Sequence, residues 1–580
     1  MNSFTRHIPL SFFAAALCAG ALSSCSDNSG NGSGDEPEIT YPPQSPVPDL
    51  KSEIEPFDPA TRATDSYSPG TDNDIYWEAN RFNDTVRVVY NGNSASVTST
   101  SSAIRTDVDD AYVTLRIPSG RKTAVIASGT SHDGGLKLYS ASKVMLTLDN
   151  LTLESKEGPA INSQSKTRLF LRLADNSVNY LADPAVYAPA DRHYTPGASA
   201  ETEDRKGAFF AEDHVTVSGH GLLEINGNYA HAFATDGMLR ILGGVTLTAT
   251  SNVRNAIHAK GSSKEQRGIS IDGGYVYTLC KADAAKCIKS DMPIFIGNAK
   301  VVAYNEGGAL FDESDSDTSS GAGIKSDADV IIAGADIDVR TTGNGAKGIK
   351  ADGNLTILDG VVTVSCTGCR FSHADGISSS PSGLKADGHL TVEGGTVKVA
   401  MFGDDTKCDA FDARGEIRIG GGESSAYAYG NGFCADTRVR IAGGKVYCFS
   451  ERDEAISAAE AIEITGGTVI SQSPTAMASS ADGVLTISNA TVVAAGGRSM
   501  VTPAVSRPSD ATIATVESLS LQAGEPIALV AGEEVAASPL FAMTFRSPLR
   551  KAPLLLATDK ASSASPLTLL IGGSIAGGST

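Results

Sequence analysis

The sequence contains a single tryptophan, Trp77, and aromatic residues make up only 6% of its 580 positions. A row of tryptophans for stacking on sugar rings is therefore excluded. A basic face is missing as well: the formal net charge is -20, which argues against nucleic acid, whose phosphates need cations opposite them. Apart from Ile8 to Ala21 there is no long apolar leader, and that run is too short for a mature spanning anchor. Helical periodicity is absent. A disulfide framework is excluded too, because after Cys25 an odd set remains, scattered through the chain: Cys280, Cys287, Cys366, Cys369, Cys408, Cys434 and Cys448. Cys366 and Cys369 form the only CxxC, with no second pair at zinc-site spacing. Most of these cysteines fall where other repeats carry apolar residues and read as small buried side chains. No nucleophile elbow, paired metal-ligand histidines or phosphate loop stands in a suitable context.

What the chain has in abundance is glycine, 60 residues of it, and one phrase written three times: Gly323-Ile-Lys-Ser-Asp327, Gly348-Ile-Lys-Ala-Asp352 and Gly383-Leu-Lys-Ala-Asp387. In the middle copy Ile349 and Ala351 alternate with Lys350, Leu355 and Ile357 with Thr356, and Val362 and Val364 with Thr363. A period of two marks half-buried strands. Asp352-Gly353 and Asp359-Gly360 supply corners. A unit of roughly 25 residues built this way cannot bury its apolar face alone and must stack on its copies. About twelve such coils can be set in register from Gly158 onward, which predicts an all-β parallel β-helix.

Five segments follow. Residues 1–25 read as a signal peptide: Arg6 and His7 precede the apolar run, and Leu22-Ser-Ser-Cys25 resembles a bacterial lipobox, making Cys25 the lipidation site. Residues 26–74, with the acidic stretch Ser26 to Glu38 and Tyr41-Pro-Pro-Gln-Ser-Pro-Val-Pro48, read as a tether. The acidic stretch resembles the export tag of surface lipoproteins. Residues 75–157 are the expected N-terminal coils and cap, 158–501 the repeats, and 502–580 a C-terminal antiparallel β cap or a separate small domain. An outer-membrane lipoprotein exposed at the cell surface, touching membrane only through its lipid and otherwise monomeric, is the expectation.

Three sets of residues are candidates for chemistry. Lys289, Lys325, Lys350 and Lys385 share one outward column, with Asp291, Asp327, Asp352 and Asp387 two residues on; the next coil exchanges them as Asp412 and Arg414. At a coil spacing of about 4.8 Å like charges repel, so the two columns must pair or bind sugar hydroxyls and carboxylates. Lys350, Lys385, Asp352 and Asp387 are the ligand-binding candidates. The acidic residues Asp312, Glu313, Asp315, Asp317, Asp404 and Asp405 sit at one corner and offer the hard oxygens that calcium requires, or form plain acidic loops. Tyr427 and Phe449 occupy one outward position on consecutive coils and are candidates for a sugar platform, or ordinary strand aromatics.

The Gly-Ile-Lys-(Ser/Ala)-Asp phrase with its x-Leu-Thr-Ile-x-Gly-Gly continuation, and the segment from Lys206 to Ile225, resemble a bacterial carbohydrate-binding β-helix family related in fold to polysaccharide lyases. The resemblance covers roughly residues 75 to 575. It implies a right-handed parallel β-helix that binds plant cell-wall polysaccharide such as cellulose or polygalacturonate, with bound calcium. The leading expectation is a noncatalytic surface glycan-binding lipoprotein. One alternative is a calcium-dependent polyuronate lyase, for which Lys325, Lys350, Lys385 and Arg414 are the candidate bases. A structural adhesin is the other.

Overall fold

The computed structural model describes residues 6–10, 40–41, 57–188, 203–264, 266–479, 484–502, 505–506, 512–532, 539–545, 548–560, 567–572 and 574–575. Cys25, the acidic stretch after it and most of the leader lie outside the described residues. The rest is all-β, with parallel strands wound around one closed apolar core. Most strands pair not with their sequence neighbour but with the strand one coil on, so three ladders run side by side. Ser382–Ala386, for example, lies between Lys347–Ala351 and Asp409–Ala413 in the first ladder. Leu390–Val392 and Thr396–Met401 hold the matching places in the second and third.

Alternation decides which side chains go inward. Phe209, Phe233, Ile257, Ile288, Ile324, Ile349, Leu384, Phe411 and Phe433 form one inward column of the first ladder, each at 0% exposure. Each contributes roughly 1.5–3 kcal/mol by burial. Phe209 stacks on Phe233 at 4.4 Å, and Phe411 packs on Phe433 at 4.5 Å. Cys280, Cys366, Cys408 and Cys448 are part of this core, all at 0%. Asp359-Gly360 bends the strand Leu355–Cys366 without ending it: Gly360 takes φ +109°, and a bulge in the partner strand Val330–Thr341 absorbs the turn.

Both ends are closed. At the start, Asp84–Asn91 and Ser94–Ser99 form an antiparallel hairpin, as do Arg105–Asp109 and Tyr112–Ile117. At the other end Leu549–Thr558 runs antiparallel to Ala490–Thr502 and Thr512–Leu521. Pro526–Ala531, Phe541–Thr544 and Leu567–Ile571 make a small antiparallel sheet that Arg6–Leu10 joins at its edge. Among the described residues no helix is long and apolar enough to cross a membrane.

One expectation is corrected. Residues 57–74, read as part of a free tether, lie along the outside of the third ladder. Phe57 packs on Tyr275 and Tyr277, with ring centroids 6.3 and 5.3 Å away. Asp65 accepts the backbone N–H groups of Gly244 and Gly274 at 3.2 and 2.8 Å, and Ala63 N–H donates to Thr246 Oγ1 at 2.8 Å. No periodicity announces these contacts, because a strap crossing a sheet uses isolated anchors rather than a face.

Candidate functional site

The repeated Gly-Ile-Lys-x-Asp phrase puts its lysines in exact register: Lys289, Lys325, Lys350 and Lys385 are neighbours along the first ladder, followed by Asp412. Each ammonium reaches an acid of its own coil or the next. Lys289 contacts Asp291 at 2.9 Å and Asp327 at 2.6 Å; Lys325 contacts Asp327 at 2.7 Å and Asp352 at 2.5 Å. Lys350 lies 3.0 Å from Asp352 and 3.6 Å from Asp387, and Lys385 lies 2.6 Å from Asp412. Arg414, carrying the exchanged charge, reaches back to Asp387 at 3.4 Å. The result is a strip of alternating cations and carboxylates that zigzags across coils. His258 extends it by one coil, with Nε2 3.3 Å from Asp291.

Most charges of the strip pair within it, whereas Asp387 Oδ1 is buried without a hydrogen bond. Partial burial raises the pKa of Asp327 and Asp352, but hydrogen bonds from Lys289 and Lys325 to the first and from Lys325 and Lys350 to the second outweigh it, and both carboxyls titrate below their ordinary value. Asp291 is lowered in the same way by His258 and Lys289 against its burial.

Beside the strip the insertions form a wall. Leu310–Asp312 with Asp317–Ser319, and Phe371–Ser372 with Ser378–Ser379, are two short antiparallel hairpins. They touch: Phe311 stacks on His373 at 4.0 Å with planes 9° apart, and Ser320 and Ser379 share a hydrogen bond of 2.8 Å. A third insertion joins them where Cys369 Sγ donates to Asp404 at 3.1 Å.

A residue that the sequence reading passed over anchors this wall. Lys347, one position ahead of the middle Gly-Ile-Lys, is 6% exposed; its Nζ donates to Gly345 O at 3.2 Å, to Ser379 Oγ at 3.1 Å and to the carbonyl of Ser380. Burial, helped by the nearby charge of Lys385, lowers its pKa to about 7. Lys286, two coils back in the same column, holds Ser319 Oγ at 2.9 Å and is lowered by burial to about 8. The lysine doublet Lys347-Gly-Ile-Lys350 was the available signal.

Two of the sequence-derived sets do not assemble. Phe449 is 6% exposed and Tyr447 5%, both within the apolar cluster of the C-terminal cap; Tyr427 packs against the same cluster and donates its hydroxyl to Glu451. These aromatics point out from the coil, as read, but are roofed by a segment about 100 residues later in the chain, so Tyr427 and Phe449 form no open platform. Of the acidic corner residues, Asp312 and Asp317 face each other across the hairpin, and each holds a nearby group. Asp312 accepts the N–H and hydroxyl of Ser314, Asp317 accepts Thr318 N–H, and Asp405 accepts Lys407 N–H. Among the described residues, the one group of three acids whose oxygens lie within 4.8 Å of one another is Asp204, Glu212 and Asp236. Two of its three carboxylates are already taken by ammonium groups: Lys206 lies 2.5 Å from Asp204 and 2.6 Å from Asp236, and Lys260 2.7 Å from Asp236, which disfavours calcium there.

A family described as "Carbohydrate-binding domain-containing protein" matches residues 109–262, 243–366 and 341–432, together more than half of the chain. A carbohydrate-binding domain-containing protein of Acetivibrio thermocellus is 26% identical over 121 residues, covering 20% of this chain and 39% of that relative. The match thus spans less than half of the relative's length. Among solved structures, the polysaccharide lyase-like protein from C. thermocellum, as its gadolinium derivative, aligns over 58% of this chain and 96% of its own with a TM-score of 0.26 and 16% identity. The chain belongs to the family of carbohydrate-binding domain-containing proteins.

Proposed function

We propose that this protein is a noncatalytic polysaccharide-binding lipoprotein of the outer cell surface, wound as a right-handed parallel β-helix and anchored through Cys25. The observation that carries the binding reading is the lysine and aspartate strip: donors and acceptors alternate at the coil repeat on a strand scaffold, beside a wall of hairpins. Such a surface matches the hydroxyl pattern of an extended glycan. Lys325, Lys350, Lys385 and Arg414 each hold a carboxylate within 3.6 Å. A general base must be free to accept a proton, so these contacts favour binding over β-elimination.

Retention on insoluble cellulose and titration calorimetry with polygalacturonate, in calcium and in EDTA, test the reading. At least one polysaccharide should bind, the Lys350→Ala/Asp352→Ala double variant should bind about tenfold more weakly, and no unsaturated product should absorb. Failure to bind any glycan overturns the proposal; product accumulation that Lys350→Ala abolishes would replace it with the lyase reading. Metabolic labelling with palmitate, lost in Cys25→Ser, checks the anchor.

A further inference from the structure

A groove of about 710 Å³ opens at the N-terminal end of the molecule, and Arg105, Arg116, Tyr139, Gln164 and Lys166 are among its lining residues. Three of its eleven lining residues are cations and none is an acid, in a chain whose net charge is -20. Their placement is unfavourable on its own terms. Arg105 and Arg116 stand directly opposite each other on adjacent antiparallel strands, an arrangement in which like charges cost stability.

Along the lysine strip every such cost is offset by an interleaved acid; here it is not. Arg116 has Asp107 at 3.8 Å, on a side chain that is 72% exposed, and its Nη2 is buried with no hydrogen-bond acceptor. Arg105 has no ion pair among the described residues, and Lys166 has only the more distant charge of Glu212. Glu203, which reaches this end of the face, is engaged by Lys137 and by the hydroxyl of Tyr139. The Tyr139 ring in turn carries the Arg116 guanidinium 4.1 Å from its centroid, which fixes the plane of the fork. A guanidinium held on the Tyr139 ring, a second one opposite it and an ammonium beside them form a receptor for a planar or tetrahedral oxyanion.

We propose that this groove is an anion subsite that takes the carboxylate or sulfate of an acidic sugar residue directly on Arg105, Arg116 and Lys166, with no bridging divalent cation. The proposal rests on the polysaccharide-binding reading and adds to it the charge class of one ligand residue and its location. The bound anion also resolves the Arg105 and Arg116 repulsion, so occupancy stabilises this end of the fold.

Titration calorimetry in EDTA, with galacturonate oligosaccharides, sulfated chondroitin oligosaccharides and neutral cello-oligosaccharides as probes, tests this on the full chain. One or both acidic probes should bind, and which one distinguishes carboxylate from sulfate. Arg116→Gln and the Arg105→Gln/Lys166→Gln double variant should each weaken that binding about tenfold, as should salt near 1 M, where screening acts within about 3 Å. Cello-oligosaccharide binding should stay unchanged. Without ligand, Arg105→Gln should raise the thermal midpoint, an effect opposite to that of losing a structural contact. Full acidic-probe affinity in the double variant, or binding of cello-oligosaccharides alone, overturns the subsite and leaves the broader function standing. Absence of all glycan binding overturns both.

Discussion

Lys325 is 8% exposed and holds Asp327 and Asp352 at 2.7 and 2.5 Å. Replacing it with methionine fills the space but leaves Asp327 with Lys289 alone and Asp352 with Lys350 alone, and because these acids are also partly solvated the cost should be about 1–2 kcal/mol rather than the larger value of a fully buried pair. Hydrogen exchange along residues 322–357 should report that loss locally, and little change there would mean that solvent already screens the strip. The acids also set a pH dependence. Their folded pKa values lie below the unfolded ones, so their stabilisation is complete above about pH 4 and is lost as pH falls through the folded values. Lys347 works with the opposite sign. Its folded pKa of about 7 lies below the unfolded value of about 10.4, so between these the unfolded chain binds the extra proton and stability rises with pH. The thermal midpoint of wild type should rise relative to that of Lys347→Met as pH goes from about 7 to about 10; a constant offset would show that Lys347 titrates normally.

At the same scale, the glycine of the repeated phrase is explained by space. A Cβ on Gly348 would lie 2.3 Å from Val364 Cγ1 and 2.4 Å from Gly383 O. One coil beyond the last copy of the phrase, alanine does occupy this column, as Ala410, and the valine column that faces it carries Ala426. Gly348→Ala should therefore cost about 1–3 kcal/mol, and Val364→Ala should be less damaging in the Gly348→Ala background than alone. A double-mutant cycle on thermal midpoints measures that coupling, and strict additivity would refute the steric account.

Elements show what was legible and what was not. Strand register could be read because alternation and a repeated phrase define both face and pairing: Lys289 through Lys385 align one to one. The inward cysteines were legible for the same reason. The hairpins were not, since Leu310–Asp312 and Phe371–Ser372 are too short for periodicity. The Phe311 and His373 stack makes the two hairpins one unit. Phe311→Ala should accordingly speed exchange or proteolysis in both the 310–319 and 371–379 segments, whereas an effect confined to the first would show that they move independently.

For the whole molecule, what covers an outward face depends on distant chain. Nothing near Phe449 or Tyr447 announces that Leu529, Phe545 and Leu554 will roof them. Ending the chain at residue 511 should expose those rings and the edge of the last coil, and light scattering should then detect self-association; a monodisperse monomer would mean that the final coil protects itself.

The strap supplies a further consequence. Phe57, Ala63 and Asp65 are fastened at the third ladder beside Thr246, Gly274 and Tyr275. Asp65 takes one N–H from each of two successive turns, so the strap acts as a stitch across them, and cutting it should let those turns part before their neighbours do.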